Sequence, residues 1–383
     1  MTSLFWFQLS LVVYVYAGYP LLLALARALG GGRRVAIDEQ VLPPVTLVVS
    51  AFNEAAVIGE KIENCLDLDY PSDKLQIVVV SDASDDGTDE VVKGYAAHGV
   101  KLLRMADRGG KTLGLNAAVA GAGGEVVVFS DANAMYGRDV IRKLVRNFAD
   151  PAIGAAVGES TYVDPEVESE RSEGLYWRYE TTIKRLESSV GSVVGGDGAI
   201  YAVLKDLYVP MRADALSDFV NPLQIVQAGR RCVYEPAARS YERAADNFSK
   251  EFRRKVRIVN RAWRALWRMK ALLNPFRHGF FAFELLSHKL LRWLVPAFLA
   301  GLFAVNLALL ESGSVYRLAM AGQVVFYLLA FVGYTQRHRA KIPSLLSVPY
   351  YFCLVNIASA LGILDAFRGK TYTTWSTARS PGV

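Results

Sequence analysis

Thr46-Leu47-Val48-Val49-Ser50-Ala51-Phe52-Asn53-Glu54 is the stretch from which the fold can be read. A short, β-favouring apolar run passes straight into a polar cluster, and Ala55 to Leu68 then takes helical spacing. The pattern repeats downstream. Gln76 to Val80 is a second run and ends in Ser81-Asp82-Ala83-Ser84-Asp85-Asp86-Gly87-Thr88. Lys101 to Met105 ends in Asp107-Arg108-Gly109-Gly110-Lys111, and Glu125 to Phe129 ends in Ser130-Asp131-Ala132-Asn133. Helical stretches near Thr88–Ala97, Thr112–Ala120 and Val140–Phe148 separate or follow these runs. Short apolar strands alternating with helices predict an α/β domain on a parallel sheet covered on both faces. Ligands of such sheets bind beyond the carboxyl ends of the strands, where all four polar clusters would gather. One Asn or Asp at a strand end is ordinarily a helix cap. Four in series at one edge make a site. Carboxylates mixed with a lysine in a Gly-rich turn suit a phosphorylated ligand and a divalent cation.

Outside this block the composition changes. The 383 residues are 52% hydrophobic yet 21% charged, with 43 Lys+Arg against 37 Asp+Glu and a net charge of +6, which points to a chain part soluble and part membranous. Disorder is excluded by the apolar content. Cys65, Cys232 and Cys353 are too few and too scattered for a disulfide scaffold, and the four histidines make no zinc-spaced pair. No G-x-G-x-x-G follows the first strand, and Gly109-Gly110-Lys111-Thr112 lacks P-loop spacing, so dehydrogenase and P-loop readings fail.

Leu4–Ala26 carries no charge and is long enough to cross a bilayer; Arg27, Arg33 and Arg34 place its far end in the cytoplasm. It reads as an anchor rather than a signal peptide. Trp293–Leu310 and Leu318–Gln336 form a second and third span, with Lys289, Arg292 and the Arg337–Lys341 cluster on the inner side. Ile342–Leu364 is different. Basic residues flank both of its ends, and Pro349, Asn356 and several serines interrupt it. It is expected to lie in, or re-enter, the cytoplasmic leaflet.

At the four polar clusters the sequence resembles inverting glycosyltransferase family 2, the membrane-embedded branch that includes cellulose, chitin-oligomer and hyaluronan synthases. The segments SAFNE, VVVSDASDDGTDE, GGKTLGLNAA and FSDANAMY carry the resemblance, which runs from about Pro44 to the C-terminus. It implies a GT-A nucleotide-sugar-binding domain. Ala51, Asn53 and Glu54 would line the nucleotide pocket, Asp82 would hold uracil or ribose, and Lys111 would lie near the donor diphosphate. Asp131-Ala132-Asn133 stands where the family has an Asp-x-Asp metal motif, so Asp131 and Asn133 would hold Mg2+ or Mn2+, with an amide in place of the second carboxylate.

Gly195-Gly196-Asp197-Gly198-Ala199-Ile200-Tyr201 resembles the family's acceptor segment, which makes Gly196, Asp197 and Gly198 acceptor-binding. Asp218, in Ser217-Asp218-Phe219, takes the place of the catalytic base, with Asp214 as the fallback. Arg254 and Arg257 fall where processive members have Gln-x-x-Arg-Trp and would help neutralise the leaving diphosphate; Arg261, Arg264 and Arg268 would lie on anionic headgroups. Trp375 and Arg379 resemble a gating tail that covers the bound nucleotide.

The resemblance implies a cell-membrane, multi-pass glycosyltransferase with a cytoplasmic catalytic domain, a UDP-sugar donor and a β-linked product. Surface polysaccharide synthesis is the first reading, and single-sugar transfer to a lipid-linked acceptor is the alternative. A non-catalytic nucleotide-binding membrane protein would make both base and basic helix incidental. Membrane lipids are expected partners and nucleic acid is not. The expected organisation is an anchor over 1–34, a GT-A domain over 35–246, interface helices over 247–292, membrane helices over 293–364 and a cytosolic tail over 365–383.

Overall fold

The computed structural model describes residues 1–162, 168–242, 248–337 and 342–374. Its strands are β1 (Val45–Ala51), β2 (Leu75–Ser81), β3 (Lys101–Arg104), β4 (Val126–Asp131), β5 (Met135–Tyr136), β6 (Ile153–Tyr162), β7 (Ile200–Leu204) and β8 (Arg231–Glu242). They form one sheet in the order β3-β2-β1-β4-β7-β6-β8-β5. The first four are parallel, as the runs predict, and in register Ala51 faces Ser81, Ser50 faces Asp131 and Ser81 faces Arg104. All four polar clusters therefore leave the sheet at one edge. Both faces are packed. Val45, Leu47 and Val49 point to one core with Ile58 and Ile141, while Val48 points to the other with Leu115 and Phe129. That double burial is why β1 reads as an unbroken apolar run.

The all-parallel expectation fails beyond β4. β7 runs antiparallel to β4 and β6, β8 is parallel to β6, and β5 is antiparallel to β8. β8 escapes a search for continuous apolar runs because it alternates buried and exposed residues along its outer half.

Around the sheet and below it lie α1 (Thr2–Gly31), α2 (Ile58–Leu66), α3 (Thr88–Gly94), α4 (Lys111–Ala120), α5 (Val140–Val145), α6 (Glu168–Val190), α7 (Ser217–Gln227), α8 (Phe248–Arg268), α9 (Phe280–Ala308), α10 (Ser314–Thr335) and α11 (Ser344–Phe367). By length and composition α1, α9, α10 and α11 can each cross a membrane. α9 begins at Phe280 and not at Trp293. Two of the charges that hid its first turns are met from α6: His288 lies between Glu180 and Glu187, and Arg292 pairs with Glu180 at 2.5 Å. The 280–292 stretch is thus continuous with a membrane-length helix rather than a separate interface helix. α1 and α9 pack antiparallel, with Phe5 against Leu302 and Val305 and Tyr14 hydrogen-bonded to Ser287 at 2.7 Å.

α11 is one unbroken helix with no reversal inside it, and it is half-buried where the other three are mostly exposed. It lies alongside α8. Phe252 packs against the Tyr350–Tyr351 cluster, and a Cβ on Gly362 would sit 2.8 Å from the Val256 carbonyl oxygen. Further on, the Phe367 ring meets Trp263 at 5.9 Å. From Tyr350 to Phe367, therefore, α11 runs alongside α8, while its first turn meets α10, where a Cβ on Gly333 would sit 2.5 Å from the Leu346 carbonyl oxygen.

Candidate active site

The loops at the strand ends are cross-tied before any ligand arrives. Asn53, with φ 54°, donates from Nδ2 to Asp85 Oδ1 at 2.7 Å, and its Oδ1 accepts from the Asp85 amide at 3.0 Å. The Glu54 amide donates to Thr88 Oγ1 at 2.9 Å, and the Ala51 carbonyl accepts from the Asp82 amide at 3.0 Å. Asp82 is 2% exposed, and its carboxylate accepts from the amides of Gly109 (2.8 Å) and Gly110 (3.0 Å). Asp82 thus shapes the glycine turn that launches α4. Gly110 has φ 90°, a conformation side chains rarely adopt.

Lys111, the first residue of α4, pairs with Asp131 and donates to the Gly198 carbonyl at 3.0 Å. A Cβ on Gly198 would lie 3.5 Å from Lys111 Nζ and 3.7 Å from Asp218 Oδ2. The strand-end cluster at Lys111 and Asp131 and the glycine segment before β7 therefore meet at Gly198, with the Asp218 carboxylate beside it. The Asp131–Asn133 turn is held from behind. Buried Lys61 donates to the Ala134 carbonyl, and the Tyr136 hydroxyl is shared between the Phe129 and Ala199 carbonyls at 3.0 and 2.9 Å.

Asp218 stands in the first turn of α7, and its own carbonyl accepts from the Gly196 amide at 2.6 Å. Burial raises the pKa of its carboxyl, opposed by Lys111 and Arg261 and reinforced by Asp197 and Asp131; the net direction is up. Asp197 Oδ1 accepts from the Ala199 amide at 3.2 Å, while Oδ2 is buried without a partner among the described residues. Glu242, at the end of β8, is pushed up to about 8 by burial with Asp197 and Asp131 beside it.

Asp214 is not available as the fallback base. Burial opposes its charge, but Arg268 (2.6 Å) and Arg264 (3.3 Å) bracket it and hold it below the usual carboxylate range. This also corrects the headgroup reading of the basic helix. Arg264 and Arg268 face Asp214, and Arg261 is 6% exposed and donates to Thr112 Oγ1 at 2.9 Å and to the Ala215 carbonyl. They fasten α8 to the catalytic domain. Arg254 pairs with Glu251 at 2.7 Å and lies within electrostatic reach of Glu242; Arg257 lies near Arg254 and Tyr372.

After α11 the chain returns to the donor turn. Asn260 Nδ2 donates to the Lys370 carbonyl at 3.2 Å, and the Thr373 carbonyl occupies the space a side chain on Gly110 would need. Trp375 and Arg379 lie outside the described residues.

Among the described residues no three His, Cys, Asp or Glu side chains gather closely enough to hold a metal unaided. Asp131 and the Asn133 side-chain carbonyl would nevertheless supply two oxygen donors of the kind a hard divalent cation takes. The unpartnered Asp197 oxygen and the raised Glu242 carboxyl show that acidic groups crowd together there.

From Asp218 a cavity of about 180 Å³ leads between α6, α8, α9 and α11, lined by Gly195, Gly196, Lys255, Lys289, Arg292 and Asn356 among others. A second cavity, of about 200 Å³, shares Tyr16, Tyr176, Arg292, Val355 and Asn356 with it and adds Tyr351 and Phe352. Glu242, Lys289 and Arg292 went unnoticed as site residues in the sequence. For the last two the available signal was their position inside a long apolar helix, where ionisable residues are costly.

The profile of glycosyl transferase family 2 matches residues 46–205. A beta-monoglucosyldiacylglycerol synthase of Synechocystis sp. is 37% identical over 117 residues, 30% of this chain and 24% of that protein. An N-acetylglucosaminyltransferase of Bradyrhizobium elkanii is 34% identical over 123 residues, 31% of this chain and 67% of that protein. The chain spans about a quarter of the length of several curated relatives it matches. Among solved structures, a mannosyltransferase from Pyrobaculum calidifontis in complex with GDP-Man and Mn2+ superimposes with TM-score 0.75 at 23% identity, over 96% of this chain and 99% of that one. The last is a likeness of fold.

Proposed function

Because this chain belongs to glycosyl transferase family 2 and carries the GT-A fold, we propose that it is a membrane-bound inverting glycosyltransferase acting on a lipid-anchored acceptor. It transfers sugar from a nucleoside-diphosphate donor, of which a UDP-sugar is the first candidate, and an α-linked donor then gives a β-linked product. The observation that carries this reading is the meeting of Lys111, Asp131 and Asp218 around Gly198, at the head of a cavity that leads in among the membrane-length helices.

Each chemical requirement has a residue. Asp218 accepts the proton of the acceptor hydroxyl, and its raised pKa makes it a stronger base than an ordinary carboxylate. The glycine segment at Gly195–Gly198 lets the acceptor approach the base closely and hold its orientation, which can contribute several kcal/mol. Lys111, with Arg254 and Arg257, meets the charge that grows on the leaving diphosphate. Asp131 and Asn133 would hold a divalent cation on that diphosphate, which supplies further charge stabilisation when bound. The bond from the sugar's anomeric carbon to the diphosphate breaks with its electron pair leaving on the nucleotide. A new bond forms to the acceptor oxygen on the opposite face.

Further support comes from the chain after α11, whose Thr373 carbonyl lies against Gly110; this favours a tail on the catalytic side. On this reading residues 35–246 form the transferase and α8 with α11 its membrane-side floor. The aromatic and apolar lining of the second cavity favours a lipid acceptor over a growing glycan. Incubation of the full chain with radiolabelled nucleotide sugars, Mg2+ or Mn2+ and membrane lipids tests the proposal. A lipid-soluble product bearing one sugar is expected. A high-mass product insoluble in organic solvent would establish the polymer reading instead, and labelled free sugar with no acceptor product would remove transfer altogether.

A further inference from the structure

Two cations that line the cavity beside Asp218 keep donors that no hydrogen bond among the described residues takes up. Arg292 is ion-paired through Nη1 with Glu180 at 2.5 Å, but its Nη2 is enclosed and makes no hydrogen bond among the described residues. Lys289 lines the same cavity, 3.5 Å from where a Cβ on Gly195 would stand, and forms no hydrogen bond or ion pair among the described residues. The acids nearby are engaged elsewhere. Glu180 and Glu187 hold His288 at 3.1 and 2.6 Å, Glu187 also accepts from the Tyr19 hydroxyl at 2.7 Å, and Glu251 pairs with Lys255 at 3.2 Å. Asp218 faces Gly198 at the reacting end.

Arg292 stands where two kinds of space meet. On one side is the polar cavity that reaches Asp218, and on the other the cavity lined by Tyr16, Tyr351 and Phe352, whose exposed lining is almost wholly apolar. A guanidinium nitrogen and an ammonium at such a junction match a tetrahedral anion with an apolar chain on one side and a hydroxyl-bearing group on the other.

Resting on the lipid-acceptor reading above, we propose that Lys289 and Arg292 bind the phosphate of a phospholipid acceptor, whose headgroup hydroxyl is thereby delivered to Asp218. The phosphate makes and breaks no bond. The hydroxyl oxygen bonds to the donor's anomeric carbon, its proton passes to Asp218, and the nucleoside diphosphate leaves with the electron pair of the broken bond.

The test uses the full chain in nanodiscs with a radiolabelled nucleotide-sugar panel and three acceptors supplied separately: phosphatidylglycerol, diacylglycerol, and soluble glycerophosphoglycerol. Transfer to phosphatidylglycerol should exceed transfer to diacylglycerol about tenfold, the scale of one charge-assisted contact, and should also exceed transfer to the soluble analogue. Lys289→Met, which leaves the Arg292–Glu180 pair in place, should raise the KM for phosphatidylglycerol about tenfold and shrink that preference, with nucleotide-sugar affinity unchanged by calorimetry. Arg292→Lys should act in the same direction more weakly. Equal use of diacylglycerol, or an unchanged preference in Lys289→Met, would overturn the phosphate site. Equal use of the soluble analogue would overturn its lipid half. A chain that binds donor but glycosylates none of the three refutes this inference alone, whereas one that binds no nucleotide sugar refutes the proposed function beneath it.

Discussion

The Gly196 amide donates to the carbonyl oxygen of Asp218 at 2.6 Å, so the acceptor segment and the base move as one unit. A Cβ on Gly196 would stand 2.8 Å from that same oxygen, and its next neighbours are also Asp218 backbone atoms, with no flexible side chain to yield. Gly196→Ala should therefore displace Asp218 and lower kcat by about 10–100-fold, since misplacement by an ångström carries a cost of that order. Donor affinity measured by calorimetry should stay within twofold. A normal kcat would show that the base is positioned independently of the segment.

Asp218→Asn should lower turnover by about 10²–10⁴-fold, the usual contribution of a general base, while nucleotide-sugar binding persists. Asp214→Asn is the matched control. With its arginine clamp weakened it should unfold at a lower temperature yet keep most of its turnover, because Asp214 faces Arg264 and Arg268. If Asp214→Asn is the dead variant and Asp218→Asn the active one, the assignment is reversed.

The pH profile follows from the same residue. Burial raises the Asp218 carboxyl above the ordinary carboxylate range, and only the deprotonated form can accept the hydroxyl proton. The rate should therefore rise with pH through an apparent pKa above about 3.9, the ordinary Asp value, and the acidic limb should vanish in Asp218→Asn. The stability sign is opposite. A raised carboxyl favours the protonated fold, so the carboxylate costs stability as pH climbs through the folded value. An acidic limb at or below the ordinary value would contradict the buried setting.

Asp131 is the one charged member of Asp131-Ala132-Asn133. Asp131→Ala should abolish metal-stimulated transfer, and it also leaves Lys111 without its partner. Asn133→Asp adds a second hard ligand and should be tolerated, with tighter or broader cation use. Titration with EDTA provides the check: a wild-type rate unaffected by chelation would refute the cation.

The tail can be located directly. The Thr373 carbonyl fills the space beside Gly110, so Gly110→Ala, strained at φ 90° as well, should displace it and weaken donor affinity about tenfold or more. A cysteine at Ser380 should react with impermeant maleimide only after cells are opened. Labelling in intact cells would put the tail on the far side.

What the sequence determined by itself is whatever has a short period. Strands buried on both faces read as unbroken apolar runs, so β1, β2 and β4 are legible, with the short edge strand β3 and the polar ends that share one edge, from Thr46 to Asn133. Membrane-length helices are legible for the same local reason, because about 20 apolar residues in succession need no partner to be noticed. The family motifs named Lys111, Asp131 and Asp218 as candidates; that they come together around Gly198 is visible only in the structure. The tertiary structure decided everything that depends on charges distant in sequence. Arg261, Arg264 and Arg268 look like a membrane-facing stripe until Thr112 and Asp214 are seen beneath them, and α9 seems to start at Trp293 until Glu180 and Glu187 neutralise its first turns. A charge in sequence is ambiguous because its energy is set by burial and by its partner, and the partner here can lie a hundred residues away.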